Sequence, residues 1–283
     1  MRWPQYKHIF FDCDSTLTTI EGIDILAETA GKRWRVEVLT QAAMDGHLDL
    51  EDVYRKRLQA VKPTRQQVQE IRRFYKRNLV EDAAATIQIL QEQGHEVYII
   101  SGGLAEPVTE FGLFLGVPKE NIRAVDLNYD ELAGTWWKAE QGNAQYIDYH
   151  EGALTVSDGK AQIVREFLKN KNGRSLLIGD GKSDLLAGTA VDLFVGFGGV
   201  ITREQVVANA PAFIHSASIA PLLALAVGPA TLRLLQDSPY HEMVAKVLKL
   251  IQTGAITFQN ERLKTKFNQA VHATYPPLHP WSY

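Results

Sequence analysis

The segment Lys7-His8-Ile9-Phe10-Phe11-Asp12-Cys13-Asp14-Ser15-Thr16 is apolar from Ile9 to Phe11 and then turns abruptly acidic. A run this short and this apolar suits a strand buried on both faces, and the carboxylates after it would stand at the strand's carboxyl end. The same pattern recurs downstream. Glu96 to Ile100 reads as a strand entering Ser101-Gly102-Gly103, with a helix expected over Leu104 to Leu115. Ser175 to Ile178 reads as a strand entering Gly179-Asp180-Gly181. A helix over Lys160 to Lys169 precedes it, and short strands at Asp192 to Val195 and Ala212 to Ile214 follow. Strands alternating with helices predict an α/β fold, a Rossmann-like doubly wound parallel sheet with ligands at the carboxyl ends of its strands.

Between the first two strands the period changes. From Glu21 to about Gln93, apolar residues recur at helical intervals (Ile25-Leu26, Val36-Val38-Leu39, Val53-Tyr54-Leu58, Ile71-Phe74-Tyr75), punctuated by Pro63. This is a helical block. Ile122 to Trp137 alternates loosely around Asn128 and Gly134 and is expected to form a β-hairpin. Beyond residue 217, Met243, Val244, Val247, Leu248 and Ile251 make one apolar helix face, and Tyr275 to Tyr283 is rich in proline and aromatics.

Composition excludes several classes. The 283 residues carry 30 basic and 33 acidic side chains, a balance without the footprint of a nucleic-acid binder. A single cysteine, Cys13, rules out an internal disulfide and a zinc-finger scaffold, and the eight histidines form no metal-ligand spacing. The N-terminus has no secretory pattern, so a cytoplasmic protein is expected. The uncharged stretch from Gln205 to Leu232 is interrupted by Asn209, Pro211, His215, Pro221, Gly228 and Pro229, which argues against a membrane span.

The chemistry lies at the strand ends. A parallel sheet would gather Asp12, Asp14, Ser101, Asp180 and Asp184 on one rim, with Lys160 opening the helix before the third strand. Clustered carboxylates repel, so Asp12, Asp180 and Asp184 need a cation, and hard oxygen ligands beside phosphate suit Mg²⁺. Ser101, with the amides of Gly102 and Gly103 at a helix start, offers donors to phosphoryl oxygens.

Four segments in this order resemble the motifs of the haloacid dehalogenase superfamily of phosphatases: Asp12-Cys13-Asp14-Ser15-Thr16, Ser101-Gly102-Gly103, Lys160, and Gly179-Asp180-Gly181-Lys182-Ser183-Asp184. Within that superfamily the chain is most similar to the phosphoserine phosphatase family. The similarity runs through Glu21-Gly22-Ile23-Asp24, Met44, Arg57-Leu58 before Pro63-Thr64, Gly196-Phe197-Gly198-Gly199 and Gln205-Val206, over about residues 6 to 216. The resemblance implies a core of residues 1–20 and 82–216, a small helical cap over 21–81, and a helical C-terminal extension, 217–283, of unassigned role.

The resemblance also implies roles. Asp12 is the expected nucleophile and Asp14 the general acid and base. Asp12, Asp180 and the Asp14 carbonyl are expected to hold Mg²⁺, with Asp184 orienting Lys160 or the metal's water ligands. Thr16, Ser101, Gly102 and Lys160 would bind phosphate. In the cap, Glu21 would meet the substrate ammonium and Arg57 its carboxylate, while Met44 and Leu50 line an apolar lid. Ser183 stands where the family usually carries asparagine, and its single hydroxyl would face the substrate. The expected partner is a small phosphorylated metabolite, most directly L-3-phosphoserine, with no nucleic acid or membrane involved; the tail could supply a homodimer contact. The residues leave open the same chemistry on an amino alcohol phosphate or a sugar phosphate, phosphotransfer in place of hydrolysis, or a catalytically weak scaffold whose tail binds a partner.

Overall fold

A computed structural model describes residues 3–44, 50–130, 144–156 and 158–275, with side chains left out at 41–44, 50 and 51. The acidic segment follows β1 (His8–Phe11). A helical insertion of α1 (Gly22–Thr29), α2 (Arg33–Met44), α3 (Leu50–Val61) and α4 (Arg65–Arg77) comes next, and α5 (Ala83–Glu92) leads into β2 (Glu96–Leu104) and α6 (Ala105–Phe114). After β3 (Ile122–Val125), β4 (Leu127–Asp130) and β5 (Gln145–Tyr149) come α7 (Gly159–Leu168), β6 (Ser175–Gly179) and α8 (Lys182–Ala187). The chain continues through β7 (Leu193–Phe197), α9 (Glu204–Asn209) and β8 (Ala212–Ile214) to α10 (Leu222–Ala226), α11 (Pro229–Leu235), α12 (His241–Gln252), β9 (Ile256–Phe258) and α13 (Glu261–Thr274).

The main sheet has the order β3-β2-β1-β6-β7-β8-β9, and every pairing in it is parallel except β8 with β9. Alternation along β1 explains the layering. Ile9 and Phe11 enter a core built with α5, α6 and the C-terminal helices, whereas Phe10 enters a second core with Tyr98, Leu177 and the inner faces of α7 and α8. Both faces of the central strands are therefore apolar, as the Ile9-Phe10-Phe11 run requires.

In the insertion, α4 starts at a capping box. Thr64 Oγ1 accepts the Gln67 amide hydrogen at 3.2 Å, and Gln67 Oε1 accepts that of Thr64 at 2.9 Å. The helix buries Val68, Ile71 and Tyr75, while Phe74 is exposed because it falls outside that stripe. The two linkers to the insertion pair with each other: Thr19 donates its amide hydrogen to the Asn78 carbonyl at 2.8 Å, and Val80 donates to that of Leu17 at 3.0 Å. Ion pairs Arg65–Glu106, at 2.9 Å, and Lys76–Glu110, at 3.2 Å, join α4 to α6.

One expectation changes. Among the described residues of the hairpin expected over Ile122 to Trp137, 122–125 and 127–130 do not pair with each other: Ile122 and Val125 are buried at the sheet edge beside β2, and β4 pairs with β5. Four alternating residues fit an existing sheet edge as well as a hairpin, so periodicity alone could not choose; Gly134 and Trp137 lie outside the described residues. Described residues of the C-terminal extension, 217–275, pack into the core. β9 closes the sheet, and Leu222, Leu223, Leu225, Val247 and Phe267 belong to the larger core. Trp3 is the tie, since its Nε1 donates to the Leu225 carbonyl at 2.8 Å and its ring stands edge-on to Phe267 at 5.0 Å. No helix of the described residues is long and apolar enough to cross a membrane, and the uncharged stretch from 205 is divided among α9, β8, α10 and α11.

Trp3→Ala removes both the ring contact and the hydrogen bond, and is expected to lower the unfolding free energy by about 3–5 kcal/mol. Urea denaturation followed by fluorescence measures it, and an unchanged midpoint would contradict the tie.

Candidate active site

Strand register assembles the site. Phe11 pairs with Ile99 and with Ile178, so the next residue of β1's chain, Asp12, lies level with Ile100 and Gly179. The Asp12 amide continues the ladder, donating to the Ile178 carbonyl at 3.0 Å. Ser101 and Asp180 then each lie one residue further along the neighbouring strands, on the same rim. Asp184 arrives from the first turn of α8, where it accepts the Gly181 amide hydrogen at 3.0 Å. The close approach needs glycine at 179, because a Cβ there would stand 2.3 Å from Asp184 Cγ.

Asp12, Asp180 and Asp184 are all buried and offer carboxylate oxygens within 4.8 Å of one another. Lys160 bridges two of them, with Nζ 2.7 Å from Asp12 Oδ1 and 2.6 Å from Asp184 Oδ1. Arg203 serves the third: its Nε donates to Asp180 Oδ2 at 3.0 Å, and its Nη2 reaches Glu21 Oε1 at 3.4 Å. Burial, then repulsion from Asp12, pushes both Asp180 and Asp184 above the usual carboxylate range. Burial pulls the Lys160 ammonium down, but Asp12 and Asp184 outweigh it and the net shift is upward. A donor set of buried carboxylates that Lys160 and Arg203 neutralise only in part fits a hard divalent cation.

Asp14 occupies a separate niche. Ser15 adopts a left-handed backbone (φ 56°), and the turn points the amide hydrogens of Thr16, Leu17 and Thr18 at the Cys13 carbonyl. Asp14 Oδ1 accepts the Tyr75 hydroxyl hydrogen at 2.6 Å, and Oδ2 accepts the Gly22 amide hydrogen at 3.4 Å. Burial first and Glu21 second push Asp14 up to about 8, against the opposing pull of the Tyr75 bond. Asp12 and Asp14, two residues apart, thus sit in opposite surroundings, one against an ammonium and the other against a phenol.

Among the other expected residues, Ser101 is buried and its Oγ accepts the Gly103 amide hydrogen at 2.9 Å, which leaves its own hydrogen to donate. Gly102 is half-buried beside it. Thr16 is buried, and its hydroxyl donates to Asp180 Oδ1 at 3.2 Å, where the turn at Ser15 brings it under that carboxylate. Glu21 leads into α1 and is raised by burial and by Asp24, with Arg203 and Arg57 opposing. Arg57, on α3, donates to the Thr40 hydroxyl, and its buried Nε has no partner among the described residues. Ser183 is half-buried in the first turn of α8. Met44 and Leu50 have side chains outside the described ones.

Arg203 and Tyr75 carry no mark in the sequence that sets them in the site. Nothing in Thr202-Arg203-Glu204 separates it from a solvated turn, although Gln205-Val206 close by belonged to the resemblance. Tyr75 looked like one more apolar position on a helix face.

Residues 9–188 match the family described as haloacid dehalogenase-like hydrolase. A phosphoserine phosphatase of Mus musculus is 34% identical over 73% of this chain and 88% of its own. A chloroplastic phosphoserine phosphatase of Arabidopsis thaliana is 33% identical over 74% of this chain and 68% of its own. A solved phospho-aspartyl intermediate analogue of phosphoserine phosphatase superposes with a TM-score of 0.64 at 25% identity, over 77% of this chain and 98% of that one.

Lys160→Met would leave Asp12 and Asp184 to repel each other in a buried site. Unfolding free energy in metal-free buffer is expected to fall by about 3–5 kcal/mol, read from urea titration. Unchanged stability would mean that the lysine is not what holds those carboxylates together.

Proposed function

The chain belongs to the haloacid dehalogenase-like hydrolases, and on that footing we propose that it is a Mg²⁺-dependent phosphomonoester hydrolase that cleaves O-phospho-L-serine through an aspartyl-phosphate on Asp12. The observation that carries this reading is the Lys160 ammonium lodged between Asp12 and Asp184 beside Asp180, a charge arrangement suited to receive a metal and a phosphoryl group. Asp12, Asp180 and the Asp14 carbonyl would hold Mg²⁺, which supplies positive charge between an anionic nucleophile and an anionic ester.

Lys160 and the Cys13 amide both engage Asp12 Oδ1, at 2.7 and 2.8 Å, so the attacking oxygen is Oδ2. It forms a bond to phosphorus as the ester oxygen leaves, and Asp14 gives that oxygen its proton. Water then attacks phosphorus, Asp14 takes back a proton, and the Asp12 carboxylate is released. The Ser101 hydroxyl, the Gly102 amide and Lys160 grip the phosphoryl oxygens, where positioning and charge supply most of the rate. Thr16 acts through its hydroxyl on Asp180 and fixes that carboxylate.

Residues 21–81 act as the cap that selects the substrate. Glu21 takes the ammonium of phosphoserine and Arg57 its carboxylate, with Met44, Leu50 and Ser183 around them. The unpartnered Arg57 Nε supports this, since a buried guanidinium hydrogen without an acceptor costs stability until an anion arrives. A zwitterion satisfies both charges, and an amino alcohol phosphate leaves Arg57 unpaired.

Wild-type protein in millimolar MgCl₂ is expected to release phosphate from O-phospho-L-serine and Asp12→Asn to release none; equal, negligible release by both would overturn the reading. MgCl₂ should also raise the melting temperature of wild type, and Asp180→Asn should abolish that rise. Arg57→Ala should lower kcat/KM on phosphoserine by about 2–4 kcal/mol of transition-state stabilisation while leaving O-phosphoethanolamine nearly unaffected.

A further inference from the structure

We propose that Tyr75 is a positioning residue for Asp14. Its phenol, carried by the cap helix α4, decides which carboxyl oxygen bears the transferable proton, and leaving-group protonation therefore depends on the cap being seated. The inference rests on the reading of Asp14 as the acid.

Tyr75 is fully buried and far from Asp14 in sequence, yet its hydroxyl donates to Asp14 Oδ1 at 2.6 Å. The ring is wedged against Phe111 of α6, with centroids 5.3 Å apart. On its other side, a Cβ at Gly22 would stand 2.6 Å from the phenol oxygen, so this glycine leaves the room the hydroxyl occupies. The phenol is thus confined by the core on one side and the start of α1 on the other.

The two oxygens of Asp14 face different ways. Oδ1 accepts the phenol hydrogen at 2.6 Å, whereas the cap reaches Oδ2 only through the Gly22 amide hydrogen at the longer 3.4 Å. Oδ2 lies 3.3 Å from the position a Cβ of Gly103 would occupy, which turns it toward the Ser101-Gly102-Gly103 loop. Of the two, Oδ1 takes the shorter and stronger bond and so is the carbonyl oxygen when Asp14 acts as the acid, which puts the transferable proton on Oδ2. When Oδ2 hands its proton to the departing ester oxygen, the ester P–O bond breaks and the Asp12 Oδ2–P bond forms. The phenol then donates to a full carboxylate, and a hydrogen bond to a charged acceptor is stronger than one to a neutral acceptor. The bond strengthens as the proton leaves, so it favours the transition state over the ground state.

Tyr75→Phe deletes only the hydroxyl and keeps the ring on Phe111. The readout is kcat/KM on two esters in MgCl₂: O-phospho-L-serine, whose alkoxide must be protonated to leave, and p-nitrophenyl phosphate, whose phenolate leaves without a proton. Tyr75→Phe is expected to lose about 10–100-fold on the first and less than about 3-fold on the second. Gly22→Ala, which keeps the tyrosine but crowds its hydroxyl off Asp14, should show the same selectivity, so the test does not hang on one variant folding. Asp14→Asn separates the two levels of inference. If it shows the selective loss and neither Tyr75→Phe nor Gly22→Ala does, the role of Tyr75 is overturned while that of Asp14 stands. If Asp14→Asn loses equally on both esters, the acid assignment falls and takes the positioning role with it. Equal losses on both esters in the Tyr75 variant would reduce the residue to packing.

Discussion

The buried contact between the Lys160 ammonium and the carboxylates of Asp12 and Asp184 is the constraint around which the rest is arranged. Burial first, and then repulsion from Asp12 within the same 4.8 Å cluster, raises the proton affinity of Asp180 and Asp184. They remain together because a lysine, itself drawn down by burial, is returned to its charged form by the two carboxylates it touches. Each partner makes the other's burial tolerable, and the surplus of negative charge suits a divalent ion and, beyond it, a phosphoryl group.

That constraint reaches outward through Arg203 and Tyr75. Arg203 joins Asp180, on the sheet rim, to Glu21, at the threshold of the helical insertion, while Tyr75 joins the insertion back to Asp14. The insertion is therefore bonded into the site as well as lying on α6. Its linkers are held from behind: Ser218 donates to Asp82, Lys246 of α12 pairs with Glu81 at 2.6 Å, and the Ile219 amide donates to the Glu81 carbonyl at 3.1 Å. The C-terminal helices thus buttress the point where the insertion rejoins the core.

Much of the arrangement was readable before any coordinates. Apolar runs ending in acids or glycines marked β1, β2 and β6, and parallel packing made one rim of them, because register and strand direction follow from buried pattern and connection type. Period also identified the insertion as helical. It could not place the stretch after Ile122, since four or five residues of alternation satisfy a hairpin and a sheet edge equally well.

The sequence by itself determined which side chains stand at the strand ends and in what order, because each lies within a few residues of the strand or helix that carries it. Only the tertiary structure decided that Thr16 turns to Asp180, that Arg203 and Tyr75 close on the two carboxylate niches, and that Trp3 and β9 bind residues 217–275 into the core. Those contacts join residues far apart along the chain, and a partner at that distance leaves no periodic mark on its neighbours. Their energy comes from burial and charge that exist only once the layers have packed.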